Sequence, residues 1–174
     1  QIQYKTHMIK DNYKKILKNI NTLIFDVDGV LTNGDVLVTT NGEILRNMNT
    51  KDGFALKTAI NSGLNVCIIS GGNNLGVKKR LKDLGIENII LGTLDKLKDL
   101  NKLITKLKIK KENIMYMGDD IPDLNAMMSV GLACCPNDAV SDVRKIADYV
   151  SHLKGGDGAV RDTVSYTHLR AHET

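Results

Sequence analysis

Short apolar runs alternate with longer amphipathic stretches from Thr22 onward, and this rhythm predicts a βα repeat. The apolar runs are Leu23–Val27, Asn65–Ile69, Asn88–Leu91, Asn113–Met117 and Val130–Cys134, each too short for a helix and rich in Ile, Val, Leu and Met. Helices are expected near 52–62, 73–84, 95–108, 121–129 and 138–146. Strands this short and uniformly apolar suit a parallel sheet buried on both faces. The expected fold is therefore α/β, a Rossmann-like parallel sheet with helices on both faces.

One stretch breaks the rhythm. Asp35–Thr39 and Glu43–Met48 read as extended runs joined by a turn containing Asn41-Gly42, which predicts a small β-hairpin after the first strand.

The length of 174 residues favours one domain, with 22–163 as its core. Residues 1–7 precede a candidate initiator, Met8, and read as foreign sequence. So do residues 165–174, which show neither helical periodicity nor continuity with the preceding pattern.

Composition narrows the class. Apolar residues at 42% and charged residues at 25% mark a globular chain rather than a disordered one. The net charge of +4 comes from lysines scattered along helices. With five Tyr, two Phe and no Trp, nucleic-acid binding is disfavoured. No apolar run reaches the length of a membrane span and no secretory leader is visible, so a cytoplasmic protein without membrane contact is expected. Cys67, Cys134 and Cys135 all lie in apolar runs, without C-x-x-C spacing, and read as buried free thiols.

Ligands of open α/β sheets bind at the carboxyl ends of the strands, so polar residues there carry the most weight. Asp26-Val27-Asp28-Gly29 turns an apolar strand abruptly into two carboxylates, one of which can face a phosphorus atom while the other faces a leaving oxygen. A D-x-D alone also occurs in helix caps and surface cation sites. Ser70-Gly71-Gly72-Asn73 follows the next strand, where a hydroxyl and backbone amides can hold phosphate or simply cap a helix. Lys96 could neutralise phosphate oxygens, although one lysine in a Lys-rich segment is unremarkable by itself. Gly118-Asp119-Asp120-Ile121-Pro122-Asp123 gathers carboxylates that would repel one another without a cation, and oxygen ligands of this kind suit Mg²⁺.

Taken in order, Asp26–Thr32, Ser70, Lys96 and Gly118–Asp123 resemble the four motifs of haloacid dehalogenase-type phosphatases, and the resemblance spans about Thr22 to Thr163. Within that superfamily the chain is similar to the small, capless 3-deoxy-D-manno-octulosonate 8-phosphate phosphatases. The hairpin, Asn49-Thr50-Lys51-Asp52-Gly53-Phe54 and Gly155–Asp162 carry that likeness.

The resemblance implies Asp26 as nucleophile and Asp28 as acid and base, with Mg²⁺ held by Asp26, Asp119 and the Asp28 carbonyl, and Asp123 orienting its water shell. It implies Ser70, Gly71, Gly72 and Lys96 around the phosphoryl group. Asn49, Thr50, Lys51, Asp52, Gly53, Lys57 and Arg80 would meet the sugar acid, and Arg161 would help close the site. It also implies a homotetramer in which a neighbour's hairpin closes the site, and a place in lipopolysaccharide precursor synthesis. Relatives often carry Arg where this chain has Gly72, so a substrate contact is either missing or supplied by Lys57, Lys79 or Arg80.

Four other readings remain beside this one. They are a phosphatase of nine-carbon sialic or deaminated sialic acid phosphates, a mutase, a non-catalytic phosphate-binding oligomerisation module, and a response-regulator-like receiver. A mutase would need a cap, and no cap-sized insertion is visible. A receiver would carry its phosphoacceptor after a later strand, without an acid–base Asp two residues on.

Overall fold

A computed structural model describes residues 15–171. Helical residues 15–19 (α1) lead into a six-stranded parallel sheet of β1 (Thr22–Phe25), β4 (Asn65–Ile69), β5 (Asn88–Ile90), β6 (Ile114–Met117), β7 (Leu132–Cys135) and β8 (Tyr149–Val150). The spatial order is β5-β4-β1-β6-β7-β8. The helices between strands are α2 (Thr50–Asn61), α3 (Leu75–Asp83), α4 (Lys96–Leu107), α5 (Leu124–Met128) and α6 (Ser141–Ile146), and α7 (Ala159–Ala171) ends the described chain.

Strand alternation sorts the core into two layers. Leu23, Phe25, Val66, Ile68, Met115, Met117 and Cys134 face one side, where they pack with Leu56 of α2, Leu81 of α3 and Val160 of α7. Ile24, Cys67, Ile69, Tyr116, Ala133 and Cys135 face the other, against Leu100 and Leu103 of α4, Met127 of α5 and Val143 of α6. All three cysteines are buried free thiols. Each fully buried Leu, Ile or Phe contributes about 1.5–3 kcal/mol relative to exposure, so both layers are needed to hold the sheet.

The hairpin forms, but its ladder is shorter than the extended runs suggest. Only β2 (Leu37–Val38) and β3 (Ile44–Leu45) pair, antiparallel. Thr39 N–H donates to the Glu43 carbonyl and Gly42 takes a φ of +81°, so Asn41-Gly42 does lie in the turn. Beyond Leu45 the chain leaves the ladder as Arg46 turns towards Asp28.

The C-terminal segment is helical where the sequence shows no helical periodicity. Helix α7 runs unbroken through residue 165 to Ala171. Val160, Thr163, Val164 and Thr167 are spaced as one helical face and are buried, with α7 lying against α2. Tyr166 stacks on Tyr149 with ring centroids 3.8 Å apart. Residues 1–7 lie outside the described residues.

Candidate active site

The order of the sheet places the chain reversal around β1, flanked by β4 and β6. Asp26 follows β1, Ser70 follows β4 and Asp119 comes just after β6, so three polar clusters distant in sequence converge at adjacent carboxyl ends. They line one open cavity of about 790 Å³ together with Asp28, Gly71, Gly72, Thr93, Lys96, Asp123 and Asn125. Ser70 is buried, and its backbone is fixed by N–H donation to the Ile90 carbonyl. The helix expected from residue 73 starts later, because the Asn74 side chain accepts from Val77 N–H and makes Asn74 the N-cap of α3. Residues 70–73 are thereby left as loop at the cavity wall.

Lys96 is the first residue of α4 and is only 8% exposed. Its Nζ donates to Asp26 Oδ2 and to Asp123 Oδ1, both at 2.7 Å. Burial pulls its pKa down, yet Asp26 and Asp123 more than offset this and hold it above its usual value. Asp123 is completely buried and fully engaged: Oδ1 also accepts from Tyr116 Oη at 3.0 Å, and Oδ2 accepts from the backbone N–H groups of Asp119 and Asp120.

Asp26, Asp119 and Asp123 each present a carboxylate oxygen within 4.8 Å of the others. One ammonium serves this set, so negative charge is in excess. Burial, followed by repulsion from Asp123, raises Asp26 to about 6 against the pull of Lys96. Burial, then Asp26 and Asp123, raise Asp119 to about 8. Asp119 Oδ1 is buried without a hydrogen-bond partner. These residues fit a hard divalent cation, which would both neutralise the excess and satisfy that oxygen. Asp123 accepts two protein donors on each oxygen, whereas Asp26 accepts one on each and Asp119 Oδ1 accepts none, so Asp26 and Asp119 are the carboxylates with lone pairs to spare. Gly29 belongs to the same construction: at a φ of +85°, a Cβ there would overlap Asp119 Oδ2.

A pH dependence follows. Both carboxylates have raised folded-state pKa values, so in metal-free protein their contribution to stability is present at acid pH and lost as pH rises through about 6 and about 8. Metal binding requires the ionised forms. The rise in Tm produced by saturating Mg²⁺ is therefore expected to grow across that same range in calorimetry. A pH-independent rise would contradict this reading.

The remaining sequence candidates divide among other places. Asn49, Thr50, Lys51 and Arg161 line a separate cavity of about 690 Å³, bounded by α2 and α7. Asp52 is buried. Its Oδ1 accepts the Arg161 N–H at 2.9 Å and pins the start of α2 to the start of α7. Gly53 is buried beneath Arg80, whose Nη2 would lie 3.0 Å from a Cβ there. Arg80 lines a third cavity of about 770 Å³ under the hairpin, whereas Lys57 and Lys79 are exposed.

Arg46 was not foreseen from the sequence. Its Nε and Nη2 grip both oxygens of Asp28, at 2.5 and 3.0 Å. The signal was faint: one arginine on a short hairpin, 18 residues from its partner.

Known proteins share this sequence and fold. The haloacid dehalogenase-like hydrolase family profile matches residues 86–161. The 3-deoxy-D-manno-octulosonate 8-phosphate phosphatase of Salmonella typhi is 41% identical over 145 residues, which is 83% of this chain and 77% of that protein. The chain belongs to the 3-deoxy-D-manno-octulosonate 8-phosphate phosphatase family. It is thus a phosphoric monoester hydrolase by family. Two solved structures of this family superpose closely. The Yersinia pestis phosphatase has a TM-score of 0.88 at 35% identity, covering 91% of this chain and 85% of that one. The Moraxella catarrhalis phosphatase, determined with magnesium ion, phosphate ion and KDO, has a TM-score of 0.88 at 32% identity, covering 92% of each chain. Among the described residues no helix is long and apolar enough to cross a membrane.

Proposed function

We propose that this protein hydrolyses 3-deoxy-D-manno-octulosonate 8-phosphate to the free sugar acid and phosphate, with Mg²⁺ as cofactor, as a step in lipopolysaccharide precursor synthesis. The observation that carries the reading is the convergence of Asp26, Asp28, Ser70, Asp119 and Asp123, from the carboxyl ends of β1, β4 and β6, with Lys96 from the start of α4 on one cavity. The family resemblance supplies the substrate.

The cation would be held by the side chains of Asp26 and Asp119 and by the Asp28 carbonyl, and bound there it offsets the charge of the phosphate that a buried carboxylate would otherwise repel. Asp26 attacks phosphorus through a carboxylate oxygen and forms an aspartyl-phosphate as the bond to the sugar oxygen breaks. Val27 N–H, 2.6 Å from Asp26 Oδ1, and Lys96, on Oδ2, fix the nucleophile's orientation before substrate arrives. Asp28 gives a proton to the departing sugar alkoxide and later takes one from the water that hydrolyses the aspartyl-phosphate. Lys96 and the Ser70 hydroxyl stabilise the transferring phosphoryl oxygens. Asp123 holds Lys96 in place and, through its bonds to Asp119 N–H and Asp120 N–H, fixes the loop that carries Asp119.

The hairpin supports an oligomer. Leu37 and Val38 are 67% and 62% exposed, an apolar face on the hairpin whose Leu37 lines the cavity beneath it. A homotetramer in which a neighbour's hairpin closes the site would cover it, and light scattering reporting a monomer would remove that element.

The substrate assignment is tested by comparing kcat/KM for the eight-carbon acid phosphate with that for a nine-carbon sialic acid phosphate. Preference for the eight-carbon acid is expected, and preference for the longer acid would move the enzyme to another pathway while leaving its chemistry intact.

A further inference from the structure

Arg46 joins two cavities. The catalytic cavity of about 790 Å³ includes Asp28 and Gly72, and the cavity of about 770 Å³ under the hairpin includes Arg46, Asn74 and Arg80. The Arg46–Asp28 pair lies between them, with side chains 10% and 34% exposed. Arg46 is thus nearly buried while its partner remains open to the catalytic cavity.

Its position is built rather than incidental. The Asn74 side chain donates to the Ile44 carbonyl at 2.8 Å while its own oxygen caps α3, so β3 is tied to the scaffold two residues before Arg46. Gly72 supplies the room: a Cβ there would meet both Arg46 Nη2 and Asp28 Oδ2 at 3.1 Å, so any larger side chain would press on the pair. The bare position 72 and the guanidinium above it form one construction.

A two-pronged guanidinium grip on a carboxylate is a strong, geometrically specific contact. In the resting site it is spent on the residue that must instead face the leaving oxygen. A substrate bearing its own carboxylate offers the guanidinium an equivalent partner, at little net cost because one charge-assisted pair replaces another. The second guanidinium, Arg80, lines the same cavity, and against the one carboxylate there, Asp35, the two arginines leave an excess of positive charge that favours an anion.

Resting on the phosphatase reading above, we propose that Arg46 is a specificity-determining residue, which takes the sugar acid's carboxylate in exchange for Asp28, in the space kept open by Gly72. A carboxylated sugar phosphate thereby frees Asp28 for the bridging oxygen as it binds. A neutral sugar phosphate leaves Asp28 clamped.

The test compares kcat/KM for 3-deoxy-D-manno-octulosonate 8-phosphate and for a neutral aldose phosphate. Wild-type enzyme prefers the acid, and Arg46→Gln lowers that preference about 100-fold, mainly through a higher KM for the acid, while turnover of the aldose phosphate stays level or rises. Arg46→Lys, which retains the cation but not the fork, keeps part of the preference. Gly72→Val, which fills the space without altering charge, lowers it in the same direction. An equal loss on both substrates would make Arg46 a structural tether and overturn the proposal, as would an unchanged preference in Arg46→Gln. Wild-type enzyme that favours a different sugar acid phosphate would sink the eight-carbon assignment alone, and the same Arg46 comparison then applies to that acid.

Discussion

Replacing Asp26 by Asn is expected to lower phosphate release by at least about four orders of magnitude while leaving the fold intact, because the amide cannot attack phosphorus and no neighbouring group can substitute. Asp26 is 5% exposed and lies at the end of β1, held by Val27 N–H and Lys96. Asn is nearly isosteric, and it removes one of the three carboxylates that repel one another in the metal-free site. Its Tm without Mg²⁺ should therefore match or exceed that of the wild type. Loss of activity with preserved Tm, and no phosphate on the protein by mass spectrometry after brief exposure to substrate, is the expected pair of results. Substantial turnover in the pure variant would exclude the aspartyl-phosphate route.

The second large effect concerns Lys96. Its ammonium bridges Asp26 and Asp123, and truncating it to Met leaves two buried carboxylates without their shared cation. Breaking a buried pair in this way costs about 3–5 kcal/mol. The loss should be largest in metal-free protein at neutral pH and smaller in acid, where protonated Asp26 no longer needs a counter-charge. Saturating Mg²⁺ should recover part of it. Turnover should fall about 10²–10³-fold even with the metal present, since the ammonium is also a preorganised donor to the phosphoryl oxygens. Calorimetry with and without Mg²⁺ at two pH values separates the two roles. A variant as stable as wild type in metal-free buffer would show that Lys96 is not the local counter-ion.

Which features could be read from the chain follows from the range of the interactions that create them. The alternation of Leu23, Ile24 and Phe25, and the apolar runs at residues 65–69 and 113–117, are local signals, and the resulting strands share one parallel sheet. Asp26, Ser70 and Asp119 stand out because a strand's carboxyl end is a sequence position, and the fold brings such ends to one cavity, whereas Lys96, at the start of α4 in a Lys-rich segment, stands out only through its place in the order of motifs. Asp52 was harder, since its Oδ1 bond to Arg161 N–H spans 109 residues, and no local pattern distinguishes a pinned carboxylate from one facing a ligand. Helix α7 was overlooked for a different reason. Its buried face is made of Val160, Thr163, Val164 and Thr167, and threonines at helical spacing read as polar until a neighbour covers them. Arg46 stayed hidden because its role depends on the absence of a side chain at Gly72, which is visible only once both sit over Asp28.

The most direct test of the whole account is phosphate release from 3-deoxy-D-manno-octulosonate 8-phosphate by the purified protein, followed in Mg²⁺ and again after chelation. Rapid release that stops on chelation and returns when Mg²⁺ is restored is the predicted result. Release that continues undiminished in chelator, or no release in either condition from folded protein, would contradict it.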